Sequence, residues 1–214
     1  MLLGGVRQMI KDEPDLEYCG QAASAAVALS AIPIANPDLV VMDITLPDKS
    51  GLELIKDLLA IRPETRVLVF SMHDEMLYAE RVVRAGGRGY LAKGSHSAEL
   101  IQAMRTVLEG GFSLSERVSA HILNRMSVGS KREPLMGPAT LTDRELEIFQ
   151  FLGLGCNSQQ IGDKLHISSR TVDAHRNNIR IKLSLPDGAS VVREAVIWVE
   201  LGRGVERVPS GGVE

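Results

Sequence analysis

Three stretches of the chain are short, apolar at every position and run straight into a polar side chain. Leu39-Val40-Val41-Met42 ends on Asp43, Val67-Leu68-Val69-Phe70 ends on Ser71, and Gly89-Tyr90-Leu91-Ala92 ends on Lys93. A strand with one wet face alternates apolar and polar residues. A short Val-rich run without alternation reads as a strand buried on both faces. Such strands need helices above and below, and the intervening sequence supplies them. Gly51–Ile61, Met76–Ala85 and Ala98–Leu108 carry apolar residues at helical spacing. Strands alternating with helices of this length predict right-handed crossovers and a parallel α/β sheet. Chemistry in such sheets gathers at the carboxyl ends of the strands. A carboxylate, a hydroxyl and an ammonium, those of Asp43, Ser71 and Lys93, are therefore expected to converge on one crevice. Leu16–Gly20 is a weaker strand candidate, and Met1–Ile10 reads as a helix.

The character changes after Gly110. Leu114–Met126 is one more amphipathic helix, and 127–140, with its Gly and Pro residues and a Lys131-Arg132-Glu133 cluster, reads as a linker. From Leu141 to Leu201 the pattern is all helical, and the last dozen residues, Gly-, Val- and Ser-rich, read as a frayed tail. The 214 residues thus suit two small domains: 1–109, and 141–202 after a helix and linker over 110–140, with 203–214 as a flexible tail. No apolar run approaches the ~18 residues of a membrane span. The two cysteines, Cys19 and Cys156, exclude a disulfide scaffold and a zinc finger and suit a reducing cytoplasm. A formal net charge of -3 excludes a protein coated with basic charge, so any nucleic-acid surface must be local.

Asp43-Ile44-Thr45-Leu46-Pro47-Asp48-Lys49-Ser50-Gly51, with Ser71 and Tyr90-x-x-Lys93, resembles the receiver domain of bacterial two-component response regulators. The resemblance covers roughly residues 1–109 and implies a flavodoxin-like, doubly wound sheet of order 2-1-3-4-5. It implies that Asp43 accepts a phosphoryl group from a sensor histidine kinase, that Lys93 and Ser71 hold the phosphoryl oxygens, and that Tyr90 follows inward as a switch. It also implies a Mg²⁺ bound by Asp43 and the Thr45 backbone carbonyl. The chain departs from the pattern in one respect. Family members open with a strand ending in two adjacent acids that hold the metal, whereas Met1–Ile10 looks like the helix after that strand. Asp12, Glu13 and Asp15 fall past this helix, at the far side of the sheet. Two explanations compete: a true start upstream of Met1, which we favour, or a domain that no longer accepts phosphate. As written, the chain is expected to phosphorylate poorly or not at all. A phosphatase of the haloacid dehalogenase type also uses a strand-end Asp, but wants a second Asp where Thr45 stands. A regulator rather than an enzyme is therefore expected.

The second domain opens on Thr142 and Glu145, spaced for a capping box, and Gly155 can end its first helix. Asn157 and Gln160 repeat the box for a second helix. His166-Ile167 forms a tight turn, and Ser168 caps a third helix to about Leu183. Two helices joined by so short a turn are the geometry of a DNA-reading helix-turn-helix. At 100° per residue, Val172, His175, Ile179 and Leu183 share an inner side of the third helix. Arg170, Asp173, Ala174 and Asn177 share the outer side, with Arg176, Arg180 and Lys182 on its flanks. Polar groups then face base edges and cations reach phosphates. The candidate DNA-contacting set is Ser169, Arg170, Thr171, Asp173, Ala174, Arg176, Asn177, Arg180 and Lys182. Residues 141–214 hold nine Lys+Arg against ten Asp+Glu, yet four of those cations lie on this helix.

Leu141-Thr142-x-Arg144-Glu145, Gly155, Ile161, Leu165, Ile167-Ser168, Thr171-Val172, His175 and Lys182-Leu183 resemble the LuxR-type helix-turn-helix. Receiver plus this module is the layout of the NarL/FixJ response regulators. The resemblance implies a transcription regulator that binds double-stranded DNA as a homodimer, paired through a fourth helix at about 188–201 with Ala189, Val192, Ala195, Val196 and Val199 on its apolar face. The alternative is a phosphorylation-independent regulator whose receiver serves dimerisation or protein interaction. His175 reads as a core histidine. His73, His96 and His121 show no ligand spacing and receive no role.

Overall fold

The computed structural model describes residues 2–127 and 137–203; most of the expected linker and the tail lie outside them. The chain forms two compact units that divide between Lys131 and Arg132.

The first unit is built on three parallel strands, β1 Leu39–Met42, β2 Arg66–Ser71 and β3 Gly89–Ala92, in the order β1-β2-β3. The register sets Met42 beside Val69 and Ser71 beside Ala92, so β2 and β3 end level and β1 stops two residues short of them. β2 is buried from Val67 to Ser71, as its unbroken apolar run requires. Leu68 and Phe70 point to one face, where α5 (Ser97–Leu108) supplies Leu100, Ile101, Met104 and Val107, and α1 (Leu2–Lys11) adds Val6, Met9 and Ile10. Val67 and Val69 alternate to the other face and are equally buried. The remaining helices are α2 (Ala25–Ala35), α3 (Gly51–Ile61), α4 (Glu75–Ala85) and α6 (Glu116–Ser127). α3 packs between α2 and α4, and α6 lies on α4 with Val118 buried. α6 therefore sits within the first unit, although the sequence grouped it with the linker.

Three further expectations need correction. Leu16–Gly20 is not a strand. A strand requires a neighbour in register, and β1 pairs only with β2 among the described residues. Leu16 instead packs against the α5 cluster, and Arg105 of α5 clamps the preceding segment through Glu13 (2.5 Å) and Asp15 (2.8 Å). For the same reason β1 is only half-buried over Leu39–Val41, not buried on both faces. Lastly, α2 was not foreseen. Its sequence AAVALSAIPIA is apolar all round, so it carries no helical period. Its start is fixed by Ser24, which accepts from Val27 N–H, and by Asp48, whose two oxygens accept from the Ala25 and Ala26 amides at 2.9 Å each.

The second unit packs α7 (Asp143–Gly153), α8 (Ser158–Leu165), α9 (Ser169–Lys182) and α10 (Gly188–Arg203) around Leu146, Ile148, Phe149, Ile161, Leu165, Val172, Ile179, Val191 and Ala195. Both capping boxes form as spaced, Thr142 with Glu145 and Asn157 with Gln160. Gly155 takes a left-handed φ of 81° just after α7, and the Cys156 amide turns back to Phe151 O at 3.0 Å. Trp198 of α10 packs on Phe149, ring centres 5.4 Å apart. α10 spends part of its expected dimer face internally: Ala195 is fully buried, while Ala189 is exposed. No helix among the described residues is long and apolar enough to cross a membrane.

Candidate functional site

The segment after β1 is folded back on itself. The Gly51 amide donates to Ile44 O at 2.7 Å, and Thr45 and Ser50 form an isolated antiparallel bridge. A Cβ on Gly51 would lie 2.6 Å from Asp43 O and 2.7 Å from Ile44 Cα, so the approach requires glycine. The loop is braced on both sides, by Asp48 on the first turn of α2 and by the ion pair of Lys49 with Asp57 of α3. Asp43 is thereby held at the strand end on a rigid loop.

The three strand ends converge as the sequence predicts. Ser71 Oγ donates to Asp43 Oδ1 at 2.7 Å, and Lys93 Nζ forms an ion pair with Asp43 Oδ2. The Lys93 amide donates to Ser71 O at 2.8 Å, which ties the lysine to the end of β2. Tyr90 is fully buried, and its hydroxyl donates to the His73 carbonyl at 2.8 Å. Burial pushes its hydroxyl pKa well above the ordinary tyrosine value, against the opposing hydrogen bond with Ser71.

His73 is the residue that sequence reasoning missed. Besides receiving Tyr90, it places ring Nε2 2.7 Å from Thr45 Oγ1 and stacks at 4.8 Å on Tyr78. It thus touches both the loop that carries Asp43 and the buried tyrosine. A lone histidine two residues past a strand end gives no sequence signal for this.

The residues present do not make a Mg²⁺ site. Mg²⁺ wants near-octahedral oxygen ligands, commonly through carboxylates and phosphate. Both oxygens of the Asp43 carboxylate are engaged, by Ser71 and Lys93. Glu13 and Asp15 are spent on Arg105 of α5. The Thr45 hydroxyl is turned to His73, and no group of three His, Cys, Asp or Glu among the described residues could hold a metal.

The second candidate surface is α9. Val172 and Ile179 are fully buried and His175 half-buried, as laid out on the helical wheel. Burial lowers the His175 pKa, with Glu145 opposing, which fits an uncharged core histidine. Arg170, Thr171, Asp173, Ala174 and Asn177 are exposed, while Ser169, Arg176 and Arg180 are half-buried. The flank cations are not idle. Arg180 donates twice to Asn177 Oδ1, at 3.3 and 3.2 Å. Lys182 is paired at 2.6 Å with Glu145, itself only 3% exposed. Burial opposes ionisation of Glu145, but Lys182 and the Thr142 amide outweigh it and hold the carboxyl below its usual range. Lys182 therefore braces α9 against α7. Arg176 donates to Ser158 Oγ of α8 at 2.8 Å.

Comparison with known proteins agrees with this division. The response regulator receiver domain profile matches residues 1–105, and that of bacterial regulatory proteins of the luxR family matches 139–195. The transcriptional regulatory protein DegU of Brevibacillus brevis is 30% identical over 92% of this chain and 90% of its own length. The DNA-binding transcriptional activator DevR/DosR of Mycobacterium tuberculosis is 31% identical over 97% of this chain and 93% of its own. The fold is shared with RcsB from Salmonella enterica serovar Typhimurium bound to promoter rprA in the presence of phosphomimetic BeF3-. That match has a TM-score of 0.58 at 19% identity and covers 91% of this chain and 93% of that one. The chain belongs to the NarL/FixJ-type two-component response regulators, DNA-binding transcription regulators that join a receiver domain to a LuxR-type helix-turn-helix.

Proposed function

We propose that the protein reads double-stranded DNA through the exposed face of α9, as a homodimer in the cytoplasm, and that Asp43 is the group through which a sensor histidine kinase switches it. The carrying observation is the convergence of Ser71 and Lys93 on the two oxygens of Asp43. In the transfer, an Asp43 oxygen forms a bond to phosphorus as the phosphorus–nitrogen bond of the donor breaks, and the bonding pair returns to the donor nitrogen. Phosphoryl transfer needs charge neutralisation and positioning more than covalent help. Lys93 supplies a cation beside the transferred oxygens, and Ser71 re-aims its hydroxyl from carboxylate to phosphoryl oxygen. On DNA, Arg170 is placed to read guanine and Asn177 adenine, the pairings their forked groups favour.

A second reading is favoured by the donor set at Asp43. With one carboxylate and both its oxygens held, the receiver also suits a regulator that acts without phosphate. Incubation of the 214-residue chain with acetyl phosphate and Mg²⁺, followed by intact-mass measurement, separates the two. An adduct of one phosphoryl group, absent in Asp43→Asn and accompanied by altered DNA affinity, supports the switch. Unmodified chain with undiminished DNA binding supports the phosphate-independent regulator.

A further inference from the structure

Asp173 is the one acidic residue in α9, and it lies on the face that meets a polyanion. Its side chain is not at large. Ser158, the first residue of α8, gives the single proton of its hydroxyl to Asp173 Oδ1 at 2.6 Å. The same oxygen of Ser158 accepts from Arg176 NH1 at 2.8 Å, and that nitrogen lies 3.5 Å from Asp173 Oδ1. A guanidinium only donates and a carboxylate only accepts, so the hydroxyl must relay between them in this order. Ser158 of α8 thus holds Arg176 by a hydrogen bond, with an opposite charge one turn away along α9.

We infer that Asp173 is a positioning residue that withholds Arg176 from the DNA backbone, and so limits how much of the binding is independent of sequence. The inference rests on α9 as the DNA-reading helix. A base-reading Asp173 would accept from cytosine N4 and set a preference at one position. A restraining Asp173 sets none and instead subtracts one phosphate contact. Each phosphate neutralised adds about 0.9 to the slope of log affinity against log salt.

The test uses the full chain, a duplex selected from a random pool and a scrambled duplex, with anisotropy titrations from 50 to 200 mM salt. Asp173→Asn keeps an acceptor for Ser158 and removes the charge. It is expected to steepen the slope by about 0.9, which adds roughly a threefold loss of affinity across that salt range, with the selected base preference unchanged. Arg176→Ala should flatten the slope by less in the parent chain than in the Asp173→Asn background, where it should cancel the gain. A shifted base preference with an unchanged slope in Asp173→Asn would overturn the proposal. So would a steep slope that survives Arg176→Ala, since charge repulsion alone would then explain it. A parent chain that binds neither duplex defeats the α9 reading itself, which is a different failure. Thermal unfolding by circular dichroism checks that each variant folds.

Discussion

Gly51→Ala tests the architecture that presents Asp43. The new Cβ would meet Asp43 O at 2.6 Å, Ile44 Cα at 2.7 Å and Ile44 O at 2.8 Å. All three are backbone atoms of the segment carrying the Asp43 carboxylate, so no flexible side chain can yield. Opening the contact to van der Waals distance shifts the loop by roughly half an ångström or more. Overpacking of this kind costs about 1–3 kcal/mol. Loss of the 2.7 Å bond from the Gly51 amide to Ile44 O adds to the cost, by about 1 kcal/mol, and the better helix propensity of alanine returns up to about 1 kcal/mol. The net expectation is destabilisation of the first unit by about 2 kcal/mol. The aromatic residues separate the two units: Tyr18, Tyr78 and Tyr90 lie in the first, and the single tryptophan, Trp198, in the second. Urea unfolding followed by tyrosine near-ultraviolet circular dichroism should show a midpoint lowered by about 1 M, for a slope of about 2 kcal/mol/M. The Trp198 fluorescence transition should not move. An unshifted tyrosine transition would refute the close-approach argument.

Two more substitutions probe the braces. Glu145→Ala removes the acceptor of the Thr142 amide and the partner of Lys182. It should destabilise the second unit by about 2 kcal/mol, since a lost cap costs about 1 kcal/mol and an ion pair whose lysine side is open to solvent contributes about as much again. Glu145→Gln keeps the capping box and should cost less than half as much in Trp198-monitored urea unfolding; equal losses would show that the charge alone matters. The second probe is acid. The hydrogen bond from Arg105 holds the Asp15 carboxyl down at about 2, from an ordinary 3.8. A depressed carboxyl contributes stability above its unfolded pKa and loses it as pH falls through the folded value. The α5 clamp should therefore loosen between about pH 4 and pH 2, as read by carboxyl NMR titration. Arg105→Ala should return Asp15 toward its ordinary midpoint, and a parent chain already titrating there would disprove the clamp.

What the sequence disclosed was local. Asp43, Ser71 and Lys93 were legible because each closes an unbroken apolar run, and neighbouring parallel strands then bring their ends together. Thr142 with Glu145 and Asn157 with Gln160 were legible because a capping box spans only three residues. α2 was not, because an all-apolar helix has no period to detect. Leu16–Gly20 read as a strand on composition, but strand pairing is decided by a neighbour that composition does not name. The contacts that give the sites their detail are non-local. His73 meets Thr45 across 28 positions, Lys182 meets Glu145 across 37, and Arg176 meets Ser158 across 18. No spacing rule links such pairs. The helical wheel placed Lys182 on the flank of α9, yet could not show that Glu145 engages it.

The exposed side of α9 must discriminate between base sequences if the protein reads DNA with it. The full chain should enrich a defined duplex from a random pool and bind it with an affinity that falls linearly, on logarithmic axes, with salt. Arg170→Ala should relax the preference at one base pair by about 1–3 kcal/mol. Enrichment of no sequence at low ionic strength, or a preference untouched by both Arg170→Ala and Asn177→Ala, would contradict it.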